Sequence, residues 1–231
     1  MGKMLSIIIP TYNEQDTISA LITYLIYSSK DFIEIIVCDG GSTDQTILLA
    51  EQAGAKAILS PHKGRAAQMN YGASIAKGNI YYFIHADSLP PPTFIKDIQE
   101  SILGGYSFGR YRTKFDSKKH ILKLNAFFTR MDLFMCYGGD QTLFITKELF
   151  LKIEGFNRNM LIMEDYEIIE RAKQHGRYKI FNKPVLISAR KYERNSWLKV
   201  QIANYTIVKM YKKGASQDDM IEKYKQLLNY R

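Results

Sequence analysis

The first half of this chain carries a rhythm that leaves few folds open. Short apolar runs are ended abruptly by turn-forming or acidic residues, and each is followed by a segment of helical spacing. MLSIII at 4–9 stops at Pro10. Residues 16–29 then place Ile18, Leu21, Ile22 and Leu25 at helical spacing, with Asp16 positioned to cap. IEIIVC at 33–38 is broken by Asp39-Gly40-Gly41-Ser42, and a helix is expected over 43–54. A short strand at 56–59, a helix over 64–77 closed by Gly78, and the β-branched and aromatic run NIYYFIH at 79–85 follow. Pro90-Pro91-Pro92 opens a helix over 93–103. This alternation predicts a doubly wound, mostly parallel α/β sheet with right-handed crossovers. Ligands in such sheets bind beyond the carboxyl ends of the strands. The residues to weigh are therefore Pro10-Thr11-Tyr12-Asn13-Glu14, Asp39 to Ser42, and His85-Ala86-Asp87.

The second half is less regular. Strands are expected at 106–113, 142–146 and 179–188, and helices at 120–134, 147–153, 166–175, 197–213 and 217–228. Gly138-Gly139-Asp140-Gln141 reads as a tight loop. No linker separates the halves. We expect one domain over 1–195, with a nucleotide-binding half of about 1–105 and an acceptor half of about 106–195, plus a helical extension at 196–231.

Composition excludes several classes. At 46% hydrophobic and 24% charged the chain is not disordered, and no apolar run approaches the length of a spanning helix. There is no cleavable leader pattern, so Cys38 and Cys136 are expected as reduced thiols in a cytosol. Met1-Gly2 with Ser6 fits the myristoylation pattern formally, but Ser6 falls inside the first strand. Nucleotide-binding G-x-G-x-x-G, P-loop and G-x-S-x-G patterns are missing. The charge is uneven: residues 176–231 hold 13 Lys and Arg against 4 acids, as large an excess as the +9 of the whole chain. That asymmetry suggests an anionic partner for the tail, or simply a solubilising surface.

Three acidic clusters carry chemistry. Asp39 precedes two glycines that permit close approach of a ligand; it either accepts hydrogen bonds from a base or ribose or serves the turn alone. Asp87, two residues after His85, stands where a carboxylate at a sheet mouth holds a hard cation. His85 either ligates or makes a strand-end hydrogen bond. Glu164 and Asp165 are adjacent at a loop-to-helix junction and cannot point the same way. One can cap or orient while the other faces a cleft as a general base.

Taken together, IIIPTYNE at 7–14, CDGGSTD at 38–44, HAD at 85–87 and the ED pair at 164–165 resemble an inverting family 2 glycosyltransferase of GT-A fold. GRAAQMNYGASIAKGN at 64–79, GDQ at 139–141, LIMEDYE at 161–167 and SARKYERN at 188–195 resemble one soluble bacterial subgroup labelled arsenosugar-biosynthesis glycosyltransferase. The resemblance covers roughly residues 4–215. It implies that Pro10, Thr11, Tyr12 and Glu14 line the nucleotide pocket and that Asp39 contacts the base or ribose. Asp87 matches the last acid of the family's D-x-D motif and would ligate Mn2+ or Mg2+ on the diphosphate. Asp165 would be the catalytic base, with Glu164 beside it. His85 stands where the motif's first acid would be, and Ala86 lies between them in the donor-binding set. Where the family often has Ala-Arg-Asn this chain has Gln68-Met69-Asn70, which makes Arg65 the candidate substitute for the base-contacting arginine.

The residue types suit a single displacement at the anomeric carbon: a cation and arginines for the leaving diphosphate, and one base for the acceptor hydroxyl. Arg190 and Arg194 follow the late strand, and at least one is expected to face the diphosphate. Competing readings are a sugar-1-phosphate nucleotidyltransferase, whose glycine-rich, arginine-containing opening loop PTYNE does not match, and a non-catalytic binding protein using its basic surface. The expected partners are a nucleotide-diphosphate sugar and an unidentified hydroxyl acceptor held by loops at 105–140 and 155–163, with no nucleic acid. In helix 197–213, Leu198, Ile202, Tyr205 and Val208 form one apolar face among Lys199, Lys209, Lys212 and Lys213, with Trp197 at its start. That face is expected to pack on the domain or on a second subunit in a homodimer, or to touch an anionic membrane at its cytoplasmic side.

Overall fold

The computed structural model describes residues 4–29, 33–138 and 141–228. Strand β1 (Leu5–Thr11) leads to helix α1 (Ile18–Ser29), β2 (Ile33–Asp39), α2 (Thr46–Gln52), β3 (Lys56–Leu59), α3 (Arg65–Ile75) and β4 (Ile80–Phe83). Then come β5 (Ser88–Leu89), α4 (Phe94–Leu103), β6 (Phe108–Asp116), α5 (Ile121–Phe128), a 3-10 turn at Phe134–Cys136, β7 (Leu143–Thr146) and α6 (Lys147–Lys152). The chain continues through α7 (Glu164–Lys173), β8 (Tyr178–Ser188), α8 (Arg190–Arg194), α9 (Trp197–Lys212) and α10 (Gln217–Leu227).

Among the described residues the strands form one 8-stranded sheet in the order β3-β2-β1-β4-β7-β6-β8-β5. The alternating first half supplies the four neighbouring parallel strands, as the crossover logic predicts. β7 then runs antiparallel to both β4 and β6, and β5 antiparallel to β8. The sheet is therefore mixed but mostly parallel. β1 is buried throughout, and its alternate residues feed two cores. Leu5, Ile7 and Ile9 join Ile35 and Val37 of β2 against α1. Ile8 joins Ile36 and Cys38 against α3. With both faces covered, these strands read as continuous apolar runs. α3 lies especially close: a Cβ at Gly72 would come within 2.6 Å of Ile8 Cγ2 and 2.7 Å of Cys38 Sγ.

Register brings the functional segments to one edge. Thr11 pairs with Asp39 across β1 and β2, Asp116 with Ser188 across β6 and β8, and Ser88 with Ile187 across β5 and β8. α9 and α10 join the same core as α7: Val200, Ala203, Ile207, Met220 and Tyr224 cluster with Tyr166 and Ile169.

Several elements differ from expectation. The helix expected over 120–134 ends at Phe128. Arg110 takes the carbonyl oxygens of Thr129 and Met131, and the Thr129 hydroxyl turns back onto Ala126 O. β5 and α8 were not anticipated; five residues or fewer carry no periodic signal. Arg190 and Arg194 thus sit on a short helix rather than a strand end. The apolar face expected on α9 is also corrected. Leu198, Ile202 and Tyr205 are exposed and Val208 is buried, while the packed face is Val200, Ala203 and Ile207. The helix is apolar on two sides, and spacing alone does not tell which one packs on the domain. Among the described residues both cysteines are free, and no helix is long and apolar enough to cross a membrane. The Met1-Gly2 pattern and Gly139-Asp140 lie outside the described residues.

Candidate active site

Two loops at the carboxyl edge are tied to each other before any ligand is considered. Asn13 N donates to Ser42 Oγ at 2.8 Å, Thr43 N donates to Asn13 Oδ1 at 2.9 Å, and Glu14 N donates to Thr46 Oγ1 at 2.8 Å. Asn13 adopts a positive φ of 55°, which asparagine tolerates better than most residues. Gly41, at φ 95°, adopts a backbone conformation that glycine reaches at little cost.

Asp39 holds this assembly from within. It is fully buried, and Oδ1 accepts from Gly41 N at 2.8 Å and Ser42 N at 2.6 Å. Oδ2 accepts from Ser42 Oγ at 2.5 Å and Thr11 Oγ1 at 3.1 Å. In this arrangement Asp39 faces its own loop rather than the cleft. Its carboxylate is inaccessible because its own loop uses it, and the alternative reading as a turn organiser describes the geometry. Gln68 completes the lock. Buried on α3, it donates through Nε2 to Thr11 O at 2.8 Å and Cys38 O at 2.7 Å, tying the ends of β1 and β2. Gln68, which stands where the family often has alanine, is thus a strut, while Met69 in the arginine's slot is buried in the core. Pro10 and Thr11 are buried in the strand, whereas the Tyr12 ring is exposed at the rim.

The centre of the site is a three-way charge cluster. Arg190 Nη2 donates to Glu14 Oε1 and Oε2, both at 3.1 Å, and to Asp87 Oδ2 at 3.0 Å. Residues from the first loop, the HAD turn and α8 meet on one nitrogen, although 176 positions separate Glu14 and Arg190. Burial lowers the Arg190 pKa, but hydrogen bonds and charge from Glu14 and Asp87 outweigh it and raise the pKa, so the guanidinium stays charged. The HAD segment is a tight turn closed by Ser88 N donating to His85 O at 3.1 Å. His85 is half-buried and Ala86 buried within it. Arg194, one turn along α8, is exposed. A cleft of about 310 Å³ lies beside Asp87, lined also by Thr17, Ser188 and Ala189.

The ED pair divides as its adjacency suggested. Glu164 is 1% exposed and ion-paired with Arg65 Nε at 2.7 Å, while Asp165 is half-buried in the first turn of α7. Met163 before them is buried in a left-handed conformation, φ 72°, a strained geometry that the surrounding packing must hold. Arg65 therefore reaches α7 from the start of α3. Asn70 ties the same helix to the preceding loop, donating to Phe156 O at 2.8 Å and accepting from Phe156 N at 2.9 Å.

Glu14 and Asp87 offer hard oxygen donors that converge on one cationic nitrogen. Among the described residues no group of three or more His, Cys, Asp or Glu could enclose a metal ion. That donor set fits a Mg2+ or Mn2+ that keeps most of its shell for phosphate oxygens and water.

Sequence reasoning missed Asn13, Thr46, Gln68, Asn70 and Arg110 as organisers. Only Gln68 carried a signal, as a lone long amide among small and apolar residues on α3.

A mixed, mostly parallel sheet flanked by helices, with acidic and basic side chains gathered at its carboxyl edge, is an α/β architecture of GT-A type. Residues 6–157 match the glycosyl transferase family 2 profile, and the chain belongs to that family. It is 31% identical over 116 residues to a glucosyl-3-phosphoglycerate synthase of Mycolicibacterium paratuberculosis, covering 45% of this chain and 35% of that protein. The chain thus spans about a third of that curated relative. Its fold resembles Staphylococcus aureus TarS 1–349 in complex with UDP-GlcNAc, with a TM-score of 0.67 at 18% identity over 81% of this chain and 59% of that one. It also resembles glucosyl-3-phosphoglycerate synthase from Mycobacterium tuberculosis in complex with Mn2+, UDP and glucosyl-3-phosphoglycerate. There the TM-score is 0.61 at 17% identity, over 93% of this chain and 81% of that one. At these identities the structures speak for the fold alone.

Proposed function

We propose that this chain transfers a sugar from a nucleotide-diphosphate donor to an acceptor hydroxyl with inversion. The observation that carries the reading is the meeting of Glu14, Asp87 and Arg190 at the carboxyl edge of the parallel strands. The complexes of the structural neighbours make UDP-sugars the first donors to test. Asp87, with Glu14 beside it, would hold Mg2+ or Mn2+, which when bound neutralises charge on the departing diphosphate. Arg190 supplies a fixed, always-charged donor that can pair with phosphate oxygens. Asp165 takes the proton from the acceptor hydroxyl as its oxygen bonds to the anomeric carbon and the bond to the diphosphate breaks. Positioned base catalysis of this kind is worth about 10²- to 10⁴-fold. Glu164 orients the first turn of α7 through Arg65. Asp39, Gln68 and the zipped loops set the pocket wall that Pro10, Thr11 and Tyr12 begin. A single positioned base suits direct displacement. The finer assignment to the arsenosugar-biosynthesis subgroup rests on the segment resemblance around 64–79 and 188–195.

The test is calorimetry with UDP-, GDP- and dTDP-sugars, with and without Mn2+. A cognate donor should bind in a metal-dependent way that Asp87→Ala abolishes while the melting temperature holds. Equal affinity in that variant, or no donor binding by the wild-type protein, overturns the reading.

A further inference from the structure

We infer that α5, the turn after it and the outer face of α9 form a docking surface for an anionic lipid bilayer. Within residues 117–135, Ile121, Leu124, Phe127, Phe128, Leu133 and Met135 are 41% to 51% exposed. Leu122 is the buried residue of α5. Apolar side chains grouped this densely in solvent mark a contact surface rather than ordinary exposure.

The surface is built. Arg110, fully buried beneath it, donates through Nη1 to Thr129 O at 2.6 Å, through Nη2 to Met131 O at 3.1 Å and through Nε to the Tyr178 hydroxyl at 2.6 Å. Asn125 joins α5 to the next elements: its Nδ2 donates to the Tyr192 hydroxyl, and Trp197 Nε1 donates to its Oδ1, both at 2.9 Å. Phe134 stacks on Tyr211 near the far end of α9. Alongside, Leu198, Ile202 and Tyr205 are 61%, 50% and 60% exposed on the side of α9 away from its packed face.

Charge selects the occupant. Lys118, Lys123 and Arg130 are exposed among these side chains, and Arg130 lies 4.2 Å over the Phe127 ring. Asp132 is the only acid between 117 and 135, and it is neutralised by Lys173 at 2.6 Å. A symmetric dimer through this patch would set like charges against each other. Anionic headgroups complement those charges, and aliphatic and phenyl groups enter the acyl boundary. Phosphate-rich RNA would satisfy the charges but leave Ile121, Leu124 and Leu133 without a partner. α5 follows the carboxyl end of β6, and the turn after it folds back along that strand to Arg110.

The test is flotation of the full chain with phosphatidylcholine vesicles, with and without phosphatidylglycerol. The protein should float with the anionic vesicles at low salt and return to the bottom as salt is raised. Phe127→Ser with Phe128→Ser, and separately Lys118→Glu with Lys123→Glu, should each lower partitioning about tenfold or more at an unchanged melting temperature. Protein that stays at the bottom at low salt, or flotation that both variants retain, refutes the inference. So does a dimer in analytical ultracentrifugation that the phenylalanine variant dissolves, since a second copy would then own the surface.

Discussion

Arg65→Met should destabilise the protein by about 3 kcal/mol, while Glu164→Gln costs about 1 kcal/mol or less. The asymmetry follows from burial. Glu164 is 1% exposed and draws its counter-charge from Arg65 Nε at 2.7 Å; its Oε2 has no hydrogen-bond partner among the described residues. Removing the arginine strands a buried carboxylate, a loss worth about 3–5 kcal/mol in closed sites. The Arg65 side chain is 34% exposed, so water softens the penalty toward the lower end. Methionine keeps the stem that packs at the start of α3. Neutralising Glu164 instead leaves a similar shape, and the charge that loses its partner is the Arg65 guanidinium, a third exposed to water. In a domain of this size each 1 kcal/mol moves the melting temperature by about 2–4 °C, so Arg65→Met should fall about 6–12 °C. The double variant should recover most of that loss, a non-additivity expected only of partners in contact. Scanning calorimetry and urea midpoints at constant m-value measure all three. If Glu164→Gln loses as much as Arg65→Met, or the two losses simply add, the pair is not the closed charge couple described here.

Asp165→Asn should abolish most turnover and leave donor affinity intact; if Glu164→Gln shows that pattern instead, the base has been assigned to the wrong acid. Arg110→Met should cost about 2–4 kcal/mol in chemical denaturation, because the Thr129 and Met131 carbonyls and the Tyr178 hydroxyl lose their fully buried donor; a change within about 0.5 kcal/mol would reject that role. Burial pushes the Asp132 carboxyl up, but hydrogen bonds from Lys173 and Tyr137 and nearby positive charge bring it below the ordinary 3.8. Its stabilising contribution is therefore present above about pH 4 and lost as pH falls through the lowered value, so Asp132→Asn should flatten the acid limb of the stability–pH curve. Burial pushes the Cys38 thiol up to about 12, so at pH 8 it should react with a thiol reagent only after unfolding. Rapid labelling of Cys38 in the native protein would contradict its place under α3.

The parallel half was legible because its signal is local and repeated. β1 and β2 are buried on both faces, so burial writes uninterrupted apolar runs into the sequence, and each crossover helix shows its own period. Residues at strand ends could be singled out for the same reason: PTYNE, DGGS and HAD each interrupt such a run. What those residues do was decided elsewhere. The sequence left Asp39 as either a ligand contact or a turn organiser, and only the structure shows Ser42, Gly41 and Thr11 using both its oxygens and Gln68 joining two strand ends. Arg190 meets Glu14 only because β8 pairs with β6 and β5 in the register that brings α8 to the edge. Sequence period reports that a helix has apolar faces; α9 has two, and only the packing against α7 and α10 determined which is core. Charge pairing and burial depend on what lies across space, and a chain read one residue at a time holds no record of distance.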